Sequence, residues 1–269
     1  MNQQPWQLKF FSKTLKKKMK LELLKKHLGN TNGQRCLLVT CGDNNGALNY
    51  YIKKCGGEWT WADLEEKSIK EMEEFLKEKV IHVKDSRNLG FPDNYFDCVM
   101  TIDVHEHLVD PLPFTRDLYR ITKADGRIIV TVPNGNTRMF ANRIKNLLGM
   151  TKEKYGHMRV GYEIPELQRL LKEVNYKPYA SSSYSKFFTE AIELIINFVY
   201  VTKLSKKSKV KVEEGTIAPA THEQLKSVEK SYKLYSLVYP IFSIISSLDR
   251  LFPTTTGYAV VVEAKKENN

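Results

Sequence analysis

The chain lacks a paired-cysteine motif, a long uninterrupted apolar run and any internal repeat. Its four cysteines, Cys36, Cys41, Cys55 and Cys98, show no CxxC spacing, and three of them sit among apolar or small residues. They read as reduced thiols of a cytoplasmic protein rather than a disulfide framework. A transmembrane helix needs about 20 apolar residues. The longest charge-free stretch near the C-terminus, Leu234 to Leu248, is interrupted by Pro240. The chain is therefore expected not to span a membrane, although it can lie on one. The basic N-terminus is not followed by an apolar core, so no signal peptide is expected. With 42% hydrophobic and 27% charged residues, disorder, collagen and repeat fibres are excluded. A length of 269 residues fits one large domain, or one domain with a long insertion.

The net charge of +11 is unevenly placed. Residues 1–30 hold eight lysines against one glutamate, and residues 203–211 hold five lysines. The rest of the chain is close to neutral. A nucleic-acid enzyme more often spreads Lys and Arg around its cleft, so a nucleic-acid substrate is disfavoured. A basic helix and a basic loop suit an anionic membrane surface or a phosphate; the plain alternative is two solvated, solubilising runs.

Residues 6–28 place Trp6, Phe10, Phe11, Leu15, Met19, Leu24 and Leu28 among lysines, which predicts a basic amphipathic helix over residues 1–30. Apolar runs then alternate with helical patterns. CLLVTC (36–41), EWTWA (58–62), VIHV (80–83), FDCVMTI (96–102) and RIIVTV (127–132) read as strands. Helices are expected over 47–54, 67–78 and 111–122, then over 139–148 and 165–174. Two more strands are expected at 178–184 and 257–266. The pattern is that of an α/β, Rossmann-like, seven-stranded and mostly parallel sheet with helices on both faces. Residues 31–184 and 257–266 form this domain. Residues 185–256 form a helical insertion before the last strand, with a break expected at Pro240, and an insertion of this length is usually functional.

Ligands of open parallel sheets bind beyond the carboxyl ends of the strands. That edge is expected to carry the loop Gly42-Asp43-Asn44-Asn45-Gly46, then Asp63, Asp85-Ser86 and Asp103. Gly42 and Asn44 suit positive φ. Asp63 can accept ribose hydroxyls and Asp85 can meet an adenine amino group. Crowded acids repel a pyrophosphate and suit a nucleoside that carries a cationic group. For each Asp alone, a helix cap or turn is the simpler role. An NAD-dependent oxidoreductase is disfavoured because GDNNG lacks the G-x-G-x-x-G spacing.

The segment LGFPDNYFDCVMTIDVHEHLVDPLPFTRDLYRITKADGRIIVTVPN (89–134) resembles the PFPDxxFDxV…EH…RxLKPGG…PN signature of class I S-adenosylmethionine-dependent methyltransferases. The similar group is the broad one that includes the ubiquinone and menaquinone methyltransferases, and the resemblance covers residues 36–134. In the first loop the family carries an acid and three alternate glycines. Here those positions read Leu38, Thr40, Gly42 and Asn44.

The resemblance implies S-adenosylmethionine as cofactor. The first loop (Thr40, Cys41, Gly42, Asp43, Asn44) would wall it, Asp63-Leu64 would hold the ribose, Asp85-Ser86 the adenine, and Asp103-Val104 would flank the methionine moiety. Asp43 can offer a carboxylate to the amino-acid end. His107 and His157 are the candidate bases, with His105 a weaker one. Arg159, Tyr162 and Tyr184 are candidate acceptor contacts. Asp103, Glu106 and His107 stand at a spacing that holds a divalent cation in some quinone O-methyltransferases; a helix-start charge cluster is the alternative.

The expected reaction moves a methyl group to an oxygen or carbon of a small, partly apolar or glycan- or lipid-linked acceptor. The competing reading is a non-catalytic scaffold on a degenerate methyltransferase fold. The apolar insertion segments 184–201 and 234–252 either pack on the sheet or a second subunit, as in a homodimer, or roof a lipid-like acceptor. In the latter case the lysine-rich segments would rest peripherally on the inner face of the membrane.

Overall fold

A computed structural model describes residues 4–42, 44–148, 152, 156–199, 222–252 and 255–267. Asp43, Tyr155 and the lysine-rich segment 203–211 lie outside the described residues. Strands β1 (Arg35–Thr40), β2 (Glu58–Asp63), β3 (Val80–His82), β4 (Phe96–Ile102), β5 (Thr122–Pro133), β6 (Tyr176–Tyr184) and β7 (Ala259–Lys266) form one sheet. Its order is β3-β2-β1-β4-β5-β7-β6. β1 pairs in parallel with β2 and β4, β2 with β3, and β4 with β5, whereas β7 lies antiparallel between β5 and β6. This is the seven-stranded, mostly parallel α/β sheet that the apolar runs announce.

The central strands are buried on both faces, so successive residues feed two cores. On one side Leu37, Val39, Val99, Ile128 and Val130 meet Phe114, Leu118 and Ile121 of α5 (Pro111–Ile121) and Leu167 and Leu171 of α7 (Ile164–Glu173). Asp110 caps α5 by accepting from Leu112 N, and Pro111 occupies the first turn, where no N–H is needed. On the other side Leu38, Cys98, Met100 and Ile129 meet α3 (Ala47–Lys53), α4 (Ile69–Leu76) and the N-terminal segment.

The N-terminal segment is two helices rather than one. α1 (Trp6–Phe11) ends at Ser12, and α2 (Leu15–Leu28) starts after Thr14. Phe11, Leu21, Leu24 and Leu28 are buried in the second core, so the apolar side of this basic segment faces the sheet. The C-terminal end of α2 is fixed by His27, whose Nδ1 and Nε2 lie 3.0 Å from Glu263 Oε2 and 2.9 Å from Ser182 Oγ.

In the insertion, α8 (Phe187–Val199) packs near α6 (Phe140–Leu147), with Ala141, Leu194 and Tyr258 buried together. α9 (His222–Ser247) runs straight through Pro240, where a break was expected. Proline removes one backbone hydrogen bond, and packing on both sides of it can hold the helix together. After α9, Asp249 accepts from the backbone N–H groups of Lys186 and Phe188 at 2.9 and 2.8 Å, which ties the end of α9 to the start of α8.

Candidate active site

β1 leads outward to β2 and β3, while β4 and β5 build the opposite half, so the strand order reverses between β1 and β4. Ligand crevices of open α/β sheets form at such a point. A pocket lies there, lined by Thr40, Cys41, Asn44 and Asn45 after β1 and by Ile102 and Asp103 after β4. Leu48 of α3 joins them. Phe11, Lys17 and Lys20 complete the wall, and they come from the N-terminal helices, where no pocket residue was expected.

The first loop substitutes asparagine side chains for glycines. Asn44 Oδ1 accepts from Gly46 N at 3.0 Å, Asn45 Oδ1 accepts from Ala47 N at 3.2 Å, and Asn44 Nδ2 donates to Asn49 Oδ1 at 2.7 Å. The first two bonds satisfy the N–H groups of Gly46 and Ala47 at the start of α3, and the third holds the Asn44 side chain in place. Positive φ falls on Gly42 (72°) and Gly46 (85°), not on Asn44. The expected role of Asn44 is thus corrected: it shapes the loop by hydrogen bonding.

The acids of the edge differ in availability. Asp63 is fully buried. Its Oδ1 accepts from Gly42 N and Glu65 N, both at 2.8 Å, and its Oδ2 accepts from the Thr40 hydroxyl at 2.6 Å. Burial pushes its carboxyl up, against the pull of these three bonds. Leu64, its half-buried neighbour, packs against the first core. Asp85 is exposed and paired with Arg87, which holds its carboxyl low, and Ser86 is half-buried beside it. Neither residue lines the pocket. Asp103 does, at φ 51°, where β4 turns sharply and Asp103 N donates to Thr131 O at 2.9 Å. Asp tolerates this left-handed region better than most residues. Its carboxylate is ion-paired with Lys20. Val104 is fully buried in the first core.

Beside Asp103 a single 3-10 turn, residues 105–107, presents three polar side chains in different ways. His105 is fully buried against Phe114 and Tyr162, and burial lowers its imidazole to about 3. That makes it a core residue rather than a base. Glu106 is also fully buried, and neither carboxylate oxygen has a hydrogen-bond partner among the described residues. Burial first, and then the charge of Asp103, pushes its carboxyl well above the usual range. His107 Nδ1 lies 3.2 Å from Gly156 O, and its ring meets His157 edge-on with centroids 4.5 Å apart. Burial, followed by the neighbouring His107, lowers His157 to about 4.

Ligand atoms of Glu106, His107 and His157 all lie within 4.8 Å of one another. Asp103, expected in such a group, is replaced there by His157. An orphaned carboxylate with two imidazoles, one fixed through its Nδ1–H by a backbone carbonyl, fits a divalent transition metal. Glu106 and the Nε2 of His107 would be ligands, with His157 as the third.

The expected acceptor contacts are dispersed. Arg159 donates to Gly161 O at 2.8 Å, pairs with Glu166 and stacks 3.7 Å over Tyr162. The ring of Tyr162 is buried, with its hydroxyl 3.4 Å from His105 O. Both residues are occupied by the packing of α7, because the chain enters that helix at Glu163 directly afterwards. Tyr184 is buried at the end of β6, where burial raises its phenol and Lys20 and Asp103 act on it electrostatically.

Residues 37–130 match the family described as a methyltransferase domain. Solved structures share the fold over nearly the whole chain. One is an S-adenosylmethionine-dependent methyltransferase from Archaeoglobus fulgidus, 19% identical, with a TM-score of 0.55, covering 93% of this chain and 94% of that one. Another is geranyl diphosphate C-methyltransferase from Streptomyces coelicolor A3(2), solved with Mg2+, geranyl diphosphate and S-adenosyl-L-homocysteine. It is 14% identical, with a TM-score of 0.55, covering 93% of this chain and 77% of that one. A third is phosphoethanolamine N-methyltransferase 2 of Haemonchus contortus in complex with S-adenosyl-L-methionine, 16% identical, with a TM-score of 0.56, covering 93% and 53%. No curated protein matches the chain. Residues 37–130 thus carry a methyltransferase domain, and the sheet as a whole has the fold of these methyltransferase structures.

Proposed function

We propose that the protein transfers the methyl group of S-adenosylmethionine to an oxygen or carbon of a small, partly apolar acceptor, free or linked to a glycan or lipid. The observation that carries this reading is the pocket at the β1–β4 junction, with Thr40, Cys41 and Asn44 on one side and Asp103 on the other. Bound there, the cofactor would supply an electrophilic methyl carbon and leave as a neutral thioether. The protein positions the acceptor and receives its proton. His107 and His157 are within reach of one another and of Glu106, and burial keeps His157 neutral at neutral pH, the state in which an imidazole can accept that proton. Phe11, Leu48 and Ile102 give the same pocket an apolar wall that suits a partly apolar acceptor. Asp85, Arg159 and Tyr162 have no part in this arrangement.

The test is thermal unfolding with S-adenosylhomocysteine. A ligand that binds only the folded state must raise the melting temperature as its concentration climbs past Kd. Stabilisation at millimolar ligand, lost on filling the pocket by Cys41→Trp, supports the reading. Absence of stabilisation favours a scaffold that has kept the fold without the cofactor.

A further inference from the structure

α9 is apolar on two opposite sides, and among the described residues only one of them is covered. Tyr232 and Tyr235 turn inward, their hydroxyls donating to Lys9 O at 2.9 Å and Lys13 O at 2.5 Å. Tyr232 also stacks on Phe10 at 4.3 Å, and Lys18 Nζ donates to the Tyr239 hydroxyl at 3.1 Å. The opposite side carries Leu234, Leu237, Ile241 and Ile244, and the 3-10 turn Leu248–Leu251 that follows extends the row with Leu248 and Leu251, spaced alternately three and four residues apart. They are 67%, 77%, 58%, 70%, 37% and 71% exposed. At 1.5 Å per residue the strip is about 26 Å long. No charged residue falls between Leu234 and Leu248. Phe252 continues it onto the half-exposed Phe187, through Phe188. Scattered exposed apolar residues are ordinary, but a continuous strip marks an interaction surface.

The neighbours of the strip say what covers it. On its covered side α9 packs against the lysine-rich helices, through the backbone carbonyls of Lys9 and Lys13 and the Lys18 ammonium, so a basic surface adjoins it, and none of these three lysines forms an ion pair among the described residues. Lys16, in contrast, is committed to buried Glu190. Five further lysines at 203–211 precede α9 in the sequence. An aliphatic strip bordered by cations is complementary to an anionic bilayer surface, where the aliphatic side chains enter the acyl boundary and the ammonium groups meet headgroup phosphates. A second copy is the poorer partner, because apposing two such strips brings one lysine belt against the other. The described helices do not meet the length and hydropathy needed to cross a membrane, so contact is in the plane of the interface.

We propose that α9 docks the protein onto anionic membranes through its Leu234–Leu251 strip, with the α1 and α2 lysines as the electrostatic border. This does not depend on the methyl-transfer reading. The experiment is co-sedimentation of the full chain with phosphatidylcholine vesicles containing about one-third phosphatidylserine, against phosphatidylcholine alone. The wild type is expected to bind the anionic vesicles and to release as salt is added. The Leu237→Asp/Ile244→Asp variant replaces only exposed side chains and should bind roughly tenfold or more weakly. The Lys9→Gln/Lys13→Gln variant, which leaves Lys18 on Tyr239, should show the same loss at low salt with an unchanged melting temperature. Wild-type-like binding by either variant, no binding by the wild type, or a wild-type dimer in sedimentation velocity that Leu237→Asp/Ile244→Asp splits would each overturn the proposal.

Discussion

Lys20, on α2, and Asp103, at the end of β4, form an ion pair that closes one end of the pocket between the N-terminal helices and the sheet. The side chains are 12% and 29% exposed, so solvent screens the pair only in part. A cation already held at the carboxylate competes with the cation of an incoming sulfonium. Replacing Lys20 by Met should therefore favour S-adenosylmethionine over the uncharged thioether S-adenosylhomocysteine. The ratio of their dissociation constants should shift by about fivefold, the Coulomb effect of one charge at partly screened range. Titration calorimetry with both ligands measures it, and an unchanged ratio would place the sulfur away from Asp103.

Asp63 joins the loops after β1 and β2 through three hydrogen bonds and has no exposed surface. Its removal in Asp63→Ala leaves the N–H groups of Gly42 and Glu65 without an acceptor, at a cost of about 2–4 kcal/mol. Asp63→Asn keeps an oxygen for both N–H groups and offers an amide N–H to the Thr40 hydroxyl, so it should cost about half as much. Denaturant unfolding separates the two variants. If Asp63 also holds the ribose, Asp63→Asn should weaken cofactor at least roughly tenfold while the protein stays folded. Equal stability of the Ala variant and the wild type would contradict the hydrogen-bonding account.

The sheet was legible because buried parallel strands read as unbroken apolar runs: CLLVTC and RIIVTV lie within β1 and β5 or at their ends. The placement of Thr40, Cys41 and Asp103 at one edge followed from that topology alone. What stayed hidden was long-range. Nothing local shows that Lys20 reaches Asp103, 83 residues away, or that His157 returns to His107 across 50 residues. The basic N-terminal stretch looked like an appendage, yet Leu24 and Leu28 are wholly within the sheet's second core. Asp85 stands apart from the pocket for a local reason, since Arg87 two residues on pairs with it at the surface.

Among the described residues Glu106 is a buried carboxyl without a hydrogen-bond partner, a costly state for a charge. In the presence of a chelator, Glu106→Gln removes the need to protonate or desolvate it and should stabilise the fold by about 1 kcal/mol, or roughly 2–4 °C in Tm. Added Zn2+ should raise the Tm of the wild type and leave Glu106→Gln and His157→Ala unmoved, because each variant lacks one of the three ligands. A Zn2+ response shared by all three proteins would show that the ion binds elsewhere.

Glu190 is fully buried on α8, where it accepts from Lys16 at 2.6 Å, Lys145 at 3.0 Å and Ser185 at 2.6 Å, joining α2, α6 and α8. Burial alone would raise its carboxyl, but Lys145, Lys16 and the hydroxyl outweigh that and bring it down from the usual 4.5 to about 2. A carboxyl with a depressed folded-state pKa contributes stability that is complete above its unfolded value. That contribution fades as pH falls from about 4.5 toward 2, where the folded form finally protonates. The wild type should lose stability steeply over that window, and Glu190→Gln should show a shallower acid limb. At neutral pH the same variant strands two half-buried ammonium groups, which should cost about 2–3 kcal/mol, below the range for wholly buried pairs because both lysines keep some solvent. Urea melts at neutral pH and along the acid limb test both effects together, and parallel acid limbs for the two proteins would mean that another carboxyl governs acid unfolding.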